Sequence, residues 1–281
     1  MRQRRLWSSL IAVVILAGVL LSRYVDNGTP AELMPSVVDG AAYTILNDNV
    51  PEFTEADITT TAYEYYSDLD YLGRCGYAMA CVGQEIMPTE ERGSIGQMKP
   101  TGWHTVKYDT VDGKYLYNRC HLLGYQLTGE NANEKNLITG TRYMNTEGML
   151  PFENMVADYV KETNNHVLYR VTPIFEEDAL VAGGVKMEAW SVEDKGDGVC
   201  FNVYVYNMQP GISIDYYTGI SRDMEKLAES TVESFTLDYE LKRFHKSNCN
   251  ESNSIAGLRE YAGDREDVIY NGYKPCNKCK P

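Results

Sequence analysis

Basic residues are in short supply. Across 281 residues, 26 Lys and Arg face 40 Asp and Glu, for a formal net charge of −14. That balance excludes a dedicated nucleic-acid binder with a broad basic face, but not an enzyme with one local basic groove. No internal repeat or low-complexity tract is present, and Gly at 23 and Pro at 10 stay near globular averages. Collagen-like, coiled-coil and largely disordered classes are thereby ruled out. Phenylalanine is scarce too, at 6 against 22 tyrosines. Tyrosine joins strand propensity to a polar tip, so the imbalance points to sheets with one wetted face. An apolar share of 43 % suffices to bury the core of one substantial domain.

Long hydrophobic runs are missing except for one. Arg2, Arg4 and Arg5 precede an apolar stretch over residues 6–21, broken only by Ser8 and Ser9. A positive flank before such a run reads as a secretory signal or membrane anchor, with the chain beyond Arg23 outside the cell. No small-x-small cleavage site follows, so a single-pass anchor in the cell membrane is expected, or a secreted protein if the signal is cut. Residues 25–60 scatter Pro, Gly and Asn without an apolar period and read as a linker or stalk. The expected division is an anchor over 1–24, a linker over 25–60, the main domain over 61–225, a second linker over 226–240 and a small tail module over 241–281.

Within the main domain the pattern alternates between strand and helix. Residues 104–108 and 115–123, joined by the turn at Asp112-Gly113, read as a hairpin. A helical stretch is expected after the polar residues 129–135. A second helix opens at Pro151, with Phe152, Met155, Val156, Tyr159 and Val160 at helical spacing. Strands follow at 166–174, 185–191 and 199–206, the last alternating Phe201, Val203 and Val205 with Cys200, Asn202 and Tyr204. The fold class is α+β, a central, mostly antiparallel sheet flanked by helices.

The chemistry gathers in Asn118-Arg119-Cys120-His121-Leu122-Leu123-Gly124-Tyr125 and in the segment from Asn136 to Asn145. On a strand, Arg119 and His121 point to one face while Asn118 and Cys120 point to the other. A guanidinium beside a neutral imidazole suits phosphoryl chemistry, the first matching phosphate charge and the second taking a proton from water. Neighbours on a strand cannot form a dyad, so Cys120 is expected to be a buried apolar residue. Between residues 99 and 145 the net charge is +2, from Lys99, Lys107, Lys114, Arg119, Lys135 and Arg142 against Asp109, Asp112, Glu130 and Glu134. The segment is locally basic within an acidic chain.

These motifs resemble the DNA/RNA non-specific endonucleases with a ββα-metal core, and within them the DNA-entry nuclease branch. The family's Asp-Arg-Gly-His stands here as Asn118-Arg119-Cys120-His121. The resemblance spans about residues 73–219. It implies that His121 is the general base, Asn145 the one direct protein ligand of a catalytic Mg²⁺, Asn136 a supporting polar group, and Glu153 the holder of a metal-bound water. Arg119, with Arg142 as a weaker second, would contact phosphate. It further implies sugar-non-specific cleavage of DNA and RNA to 5′-phosphate products. A neutral amide ligates a hard cation weakly, so water and substrate phosphate must complete the shell. The rival expectation is a non-catalytic surface module that binds nucleic acid or a partner, the changes at Asn118 and Cys120 marking lost catalysis. No protein partner can be inferred.

The tail holds His245-x3-Cys249 and Cys276-x2-Cys279, the ligand number and type of a closed tetrahedral zinc site. It is similar to the N-terminal zinc module of the Ada repair protein, with His245 where that module has a cysteine. Structural Zn²⁺ is expected, with no part in cleavage, so that deleting the tail should spare turnover on short oligonucleotides. The alternative in an oxidising exterior is a disulfide from Cys249 to Cys276 or Cys279. Cys75 and Cys81 are a further candidate pair. His104 and His166 are expected to be structural.

Overall fold

The computed structural model describes residues 40–225, 232–251 and 257–281. The expected anchor over 1–24 lies outside them. Among the described residues no helix is long and apolar enough to cross a membrane.

The core is a six-stranded sheet built from β1 (Tyr43–Ile45), β2 (Tyr63–Tyr66), β3 (Ala78–Val82), β6 (Val167–Ile174), β7 (Gly184–Ser191) and β8 (Cys200–Tyr206), in the order β1-β8-β7-β6-β3-β2. Every pairing is antiparallel, as expected. The three long strands lie close to where alternation and β-branched residues put them. Residues 25–60 are not simply a linker, because β1 forms one edge of the sheet and Glu52 takes an ion pair from Lys186 at 2.7 Å.

A short helical turn, α1 (Tyr125–Thr128), ends at Gly129 in the left-handed region. The longer helix α2 (Leu150–Thr163) lays Phe152, Val156, Ala157 and Val160 on the sheet and ends at Asn164, also left-handed. Met155, expected on that face, is exposed. No break precedes the helix. A π-helical turn over Met144–Met149 runs straight into it, closed by Leu150 N–H on the Asn145 carbonyl. Pro151 has no N–H to give, so the wide turn forfeits nothing there that a regular helix would keep.

A separate two-stranded ribbon, β4 (Tyr117–His121) with β5 (Leu137–Thr141), carries the motif. This corrects two expectations. Residues 104–108 meet 115–116 through one isolated bridge, Lys107 to Tyr115, around the Asp112-Gly113 turn. The true partner of the motif strand is β5, in a region read as helical; its Ile138, Thr139 and Thr141 are β-branched and every residue in it is buried. Short strands β9 (Ile212–Ile214) and β10 (Ser221–Asp223) then lead to the tail.

The tail is a four-stranded sheet of β11 (Glu233–Asp238), β12 (Arg243–Lys246), β13 (Arg259–Gly263) and β14 (Lys274–Pro275), with α3 (Arg265–Tyr270) across it. Because β11 is an inner strand of that sheet, the span 226–240 is not a linker throughout. The tail core is small: Phe235, Leu237, Phe244, Tyr261, Val268 and Tyr273, with Ile220 from the preceding segment.

Candidate active site and metal cluster

A cleft of about 630 Å³ opens over the ribbon, and its walls include Arg92, Trp103, Asn118, Arg119, His121, Gly124, Arg142, Asn145 and Glu153. His121 ends β4, Asn145 sits on the π turn and Glu153 lies in the first turn of α2, so three elements converge on one space.

The imidazole of His121 is 6 % exposed. The Asn131 carbonyl lies 2.8 Å from Nε2 and can only accept, which puts the proton on Nε2. Nδ1 is then the basic nitrogen, and Arg92 Nη2 donates to it at 3.1 Å. Burial, with the Arg92 charge adding to it, pushes the imidazole down to about 4 and keeps it neutral at physiological pH. Glu153 behaves oppositely. Desolvation raises its carboxyl to about 7, with Arg92 and Gln126 pulling it back. Gly124 makes room for that carboxylate, since a Cβ there would stand 2.7 Å from Glu153 Oε2.

Arg119 is built in rather than waving in solvent. Its guanidinium carbon lies 4.0 Å from the centre of the Trp103 ring and its Nη2 donates to the Gly96 carbonyl at 2.7 Å. Arg142 also faces the cleft, but it donates to Asp112 from Nη2 at 2.8 Å and Nε at 3.1 Å. Lys114 and Lys135 pair with Asp109 and Asp68. The local basic excess is thus partly matched, and Arg92, from outside the 99–145 segment, supplies the cation nearest His121.

Asn136 does not line the cleft. It is fully buried, accepting from Leu123 N–H at 2.8 Å and donating to the Leu123 carbonyl at 3.0 Å. Its contribution is to pin the loop that follows His121. Asn145 is half-buried, and its amide makes no hydrogen bond to the described residues. Asn118 departs from the alternation expected of a flat strand: it lines the cleft beside Arg119 and His121, with Nδ2 buried and unpartnered among the described residues. Cys120 does point away, into the core, and Gly140 accommodates it, because a Cβ at 140 would lie 2.4 Å from its sulfur. Sequence reasoning missed Arg92 and Trp103, which reach the site from irregular segments without a pattern to mark them.

A family model for DNA/RNA non-specific endonucleases matches residues 54–193, the stretch that holds this cleft. The chain is a member of that family. It is an enzyme that hydrolyses nucleic acid. Among solved structures it is similar to NucA from Streptococcus agalactiae with magnesium bound, at 27 % identity and a TM-score of 0.57, over 64 % of this chain and 85 % of that one. The metal-free form of that nuclease compares at 28 % and 0.56, over 64 % and 86 %. Sda1 nuclease, solved with zinc bound, shares the fold at 23 % identity and 0.53, over 63 % and 95 %.

The second cluster lies in the tail of this family member. One ligand atom from each of His245, Cys249, Cys276 and Cys279 falls within 4.8 Å of the others. His245 is buried, yet neither Nδ1 nor Nε2 has a partner among the described residues, and Lys246 N–H donates to Cys279 Sγ at 3.3 Å. Leaving both nitrogens of a buried imidazole unsatisfied is costly, and one N/S-ligated cation would satisfy one of them. No disulfide joins any of the seven cysteines. Cys75 instead donates to the carbonyls of Glu134 and Leu137, and Cys81 to that of Thr59. His104 and His166 are held by hydrogen bonds outside the cleft, His166 between Glu85 and Glu193.

Proposed function

We propose that this enzyme is an Mg²⁺-dependent, sugar-non-specific endonuclease that cuts DNA and RNA outside the cell, held there by its N-terminal anchor or secreted after cleavage. The observation that carries the reading is the convergence of a neutral, desolvated His121 with Asn145, Glu153 and Arg119 in one cleft. His121 Nδ1 takes the proton of the attacking water while Nε2–H, fixed on the Asn131 carbonyl, holds the ring in place. Since Arg92 covers Nδ1 in the free enzyme, it must yield that lone pair when substrate binds, and phosphate is the partner its guanidinium would exchange it for. Arg119, stiffened by Trp103, supplies a second fixed positive charge, and Arg142 a third that must first give up part of Asp112.

Asn145 offers a free amide oxygen and Glu153 a carboxylate close to ionising, so the pair fits a hard cation that keeps most of its waters. Mg²⁺ bound there would stabilise charge on the phosphate and on the leaving oxygen. Asn136 supports by holding Leu123. Contacts of this kind go to phosphate rather than to base edges, which accounts for weak sequence preference and for access to both sugars. For the tail we infer structural Zn²⁺ on His245, Cys249, Cys276 and Cys279.

Plasmid DNA and a structured RNA, each incubated with the full chain in Mg²⁺ and in EDTA, provide the test. Cleavage of both in Mg²⁺ alone, ending in 5′-phosphates, is expected; intact substrates under every metal condition would overturn the reading.

A further inference from the structure

The tail grips the core at Trp103, a residue that lines the cleft. Lys242 Nζ donates to the Trp103 carbonyl at 3.4 Å and lies over the rings of Tyr239, at 4.5 Å, and Tyr273, at 4.8 Å. The next residue, His104, is buried with Nδ1 3.0 Å from the Asn271 carbonyl and Nε2 2.8 Å from the Thr218 carbonyl. The Trp103 indole is also the platform under Arg119, 4.0 Å away. Two adjacent core residues therefore meet the tail, and one of them carries the arginine that faces substrate.

The gripping residues adjoin the strands that lead to the metal ligands. Lys242 immediately precedes β12, which holds His245, and Tyr273, whose ring centre lies 5.6 Å from that of His104, immediately precedes β14, which runs into Cys276. β12 and β14 pair in parallel at only two positions, Arg243 with Lys274 and Phe244 with Pro275. Flanking bonds from Lys274 N–H to the Lys242 carbonyl and from Cys276 N–H to the Phe244 carbonyl, each 2.9 Å, complete the contact. So short a parallel pair is weak by itself. An ion shared by His245 on one strand and Cys276 beyond the other would cross-link the two.

We propose that the tail cluster positions the cleft: a metal on His245, Cys249, Cys276 and Cys279 locks β12 to β14, keeps Lys242 and Tyr273 against Trp103 and His104, and thereby sets the Trp103–Arg119 stack. Lys242 and Trp103 are positioning residues in this scheme, since neither is assigned a contact with the reacting phosphate. The kinetic arm of the test rests on the nuclease reading, whereas the spectroscopic arm does not.

The full chain, loaded with Zn²⁺ and labelled with ¹⁵N, reports through the indole N–H resonance of Trp103, assigned by its loss in Trp103→Phe. That resonance is expected to move when zinc is chelated and, with zinc retained, in Lys242→Met. Because a cysteine variant could unfold the tail outright, Lys242→Met, which leaves all four ligands in place, is the decisive change. On a short oligonucleotide in Mg²⁺, Lys242→Met should lower kcat/KM about tenfold, as expected for a misplaced binding group; the contact of Lys242 with Trp103 thus replaces the sequence-based expectation that the tail is dispensable on such substrates. In an Arg119→Ala background the same change should cost less than about twofold, because the effect runs through Arg119. A Trp103 resonance unmoved by both treatments, or equal losses in the two backgrounds, overturns the coupling. Movement of the resonance in a chain that cleaves nothing supports the coupling and counts against the nuclease reading alone.

Discussion

The core and the tail stand on different physics. Among the described residues, twenty-five buried ones make up the main core, whereas seven make up the tail core. The core can therefore tolerate a polar cleft with a desolvated imidazole, a carboxyl near its ionisation point and an Asn118 Nδ2 without a partner among the described residues. The tail has little apolar burial to offset the ordering of its chain, and its His/Cys cluster stands where further hydrophobic packing would otherwise be needed. One region carries reactivity on a stable frame; the other gains its frame from the chemistry of its side chains.

The largest expected effects test the reactive half of that contrast. His121→Ala should lose at least about a hundredfold in turnover with the thermal unfolding of the core retained. Asn145→Ala should abolish the response to Mg²⁺, while Asn145→Asp keeps part of it as an oxygen ligand. Titration of cleavage rate against Mg²⁺ for the three proteins checks both, and near-normal cleavage by either alanine variant would remove that residue from the mechanism.

Next comes metal removal from the tail. Chelation of zinc, or Cys276→Ser, should release amide protection in β12 and β14 while β6, β7 and β8 keep theirs, as hydrogen exchange would show. Simultaneous loss in both regions would mean that the two are not energetically distinct.

The pH dependence separates the cleft groups. An ordinary histidine would make activity rise between about pH 6 and 7, but His121, held near 4, is already neutral there. At saturating Mg²⁺ the acid limb should lie toward about pH 4, in the region of that lowered value. At limiting Mg²⁺ activity should fall below about pH 7, where Glu153 takes up a proton and the cation binds less well. Stability has a related sign: His104 and His121 are both depressed to about 4, so it should decline as pH falls from about 6.5, where the unfolded chain begins to protonate, toward 4.

The smallest effect concerns the ribbon. Gly140→Ala should destabilise by about 1–3 kcal/mol through overpacking against Cys120, and Cys120→Gly in the same chain should recover most of it. Chemical denaturation of the three variants checks this, and additive losses would show that the two positions do not compensate.

Much of the site could be read from residue order because ββα chemistry is local: Arg119 and His121 are two residues apart, and Asn145 and Glu153 lie on one continuous helical rod. The same locality marked His245-x3-Cys249 and Cys276-x2-Cys279 as two halves of one ligand set. Where sequence and structure part, the cause is nonlocal. Residues 137–141 became a strand because the motif strand offered them an edge, and Asn136 is taken up by Leu123, thirteen residues back. Asn118 stands at the wall of the cleft together with Arg119 and His121, which strict alternation along the strand does not anticipate.

By itself, the order of residues determined the α+β class, the long strands of the sheet, the candidate base and the composition of the tail cluster, since each depends on short-range periodicity or on side-chain chemistry. Only the tertiary structure decided that Arg92 covers His121, that burial and not a charged neighbour chiefly lowers its proton affinity, that Glu153 sits in the space left by Gly124, and that Lys242 reaches back to Trp103. Those are matters of which distant segments come together and how completely they exclude water, and neither quantity is written in the spacing of residues along one chain.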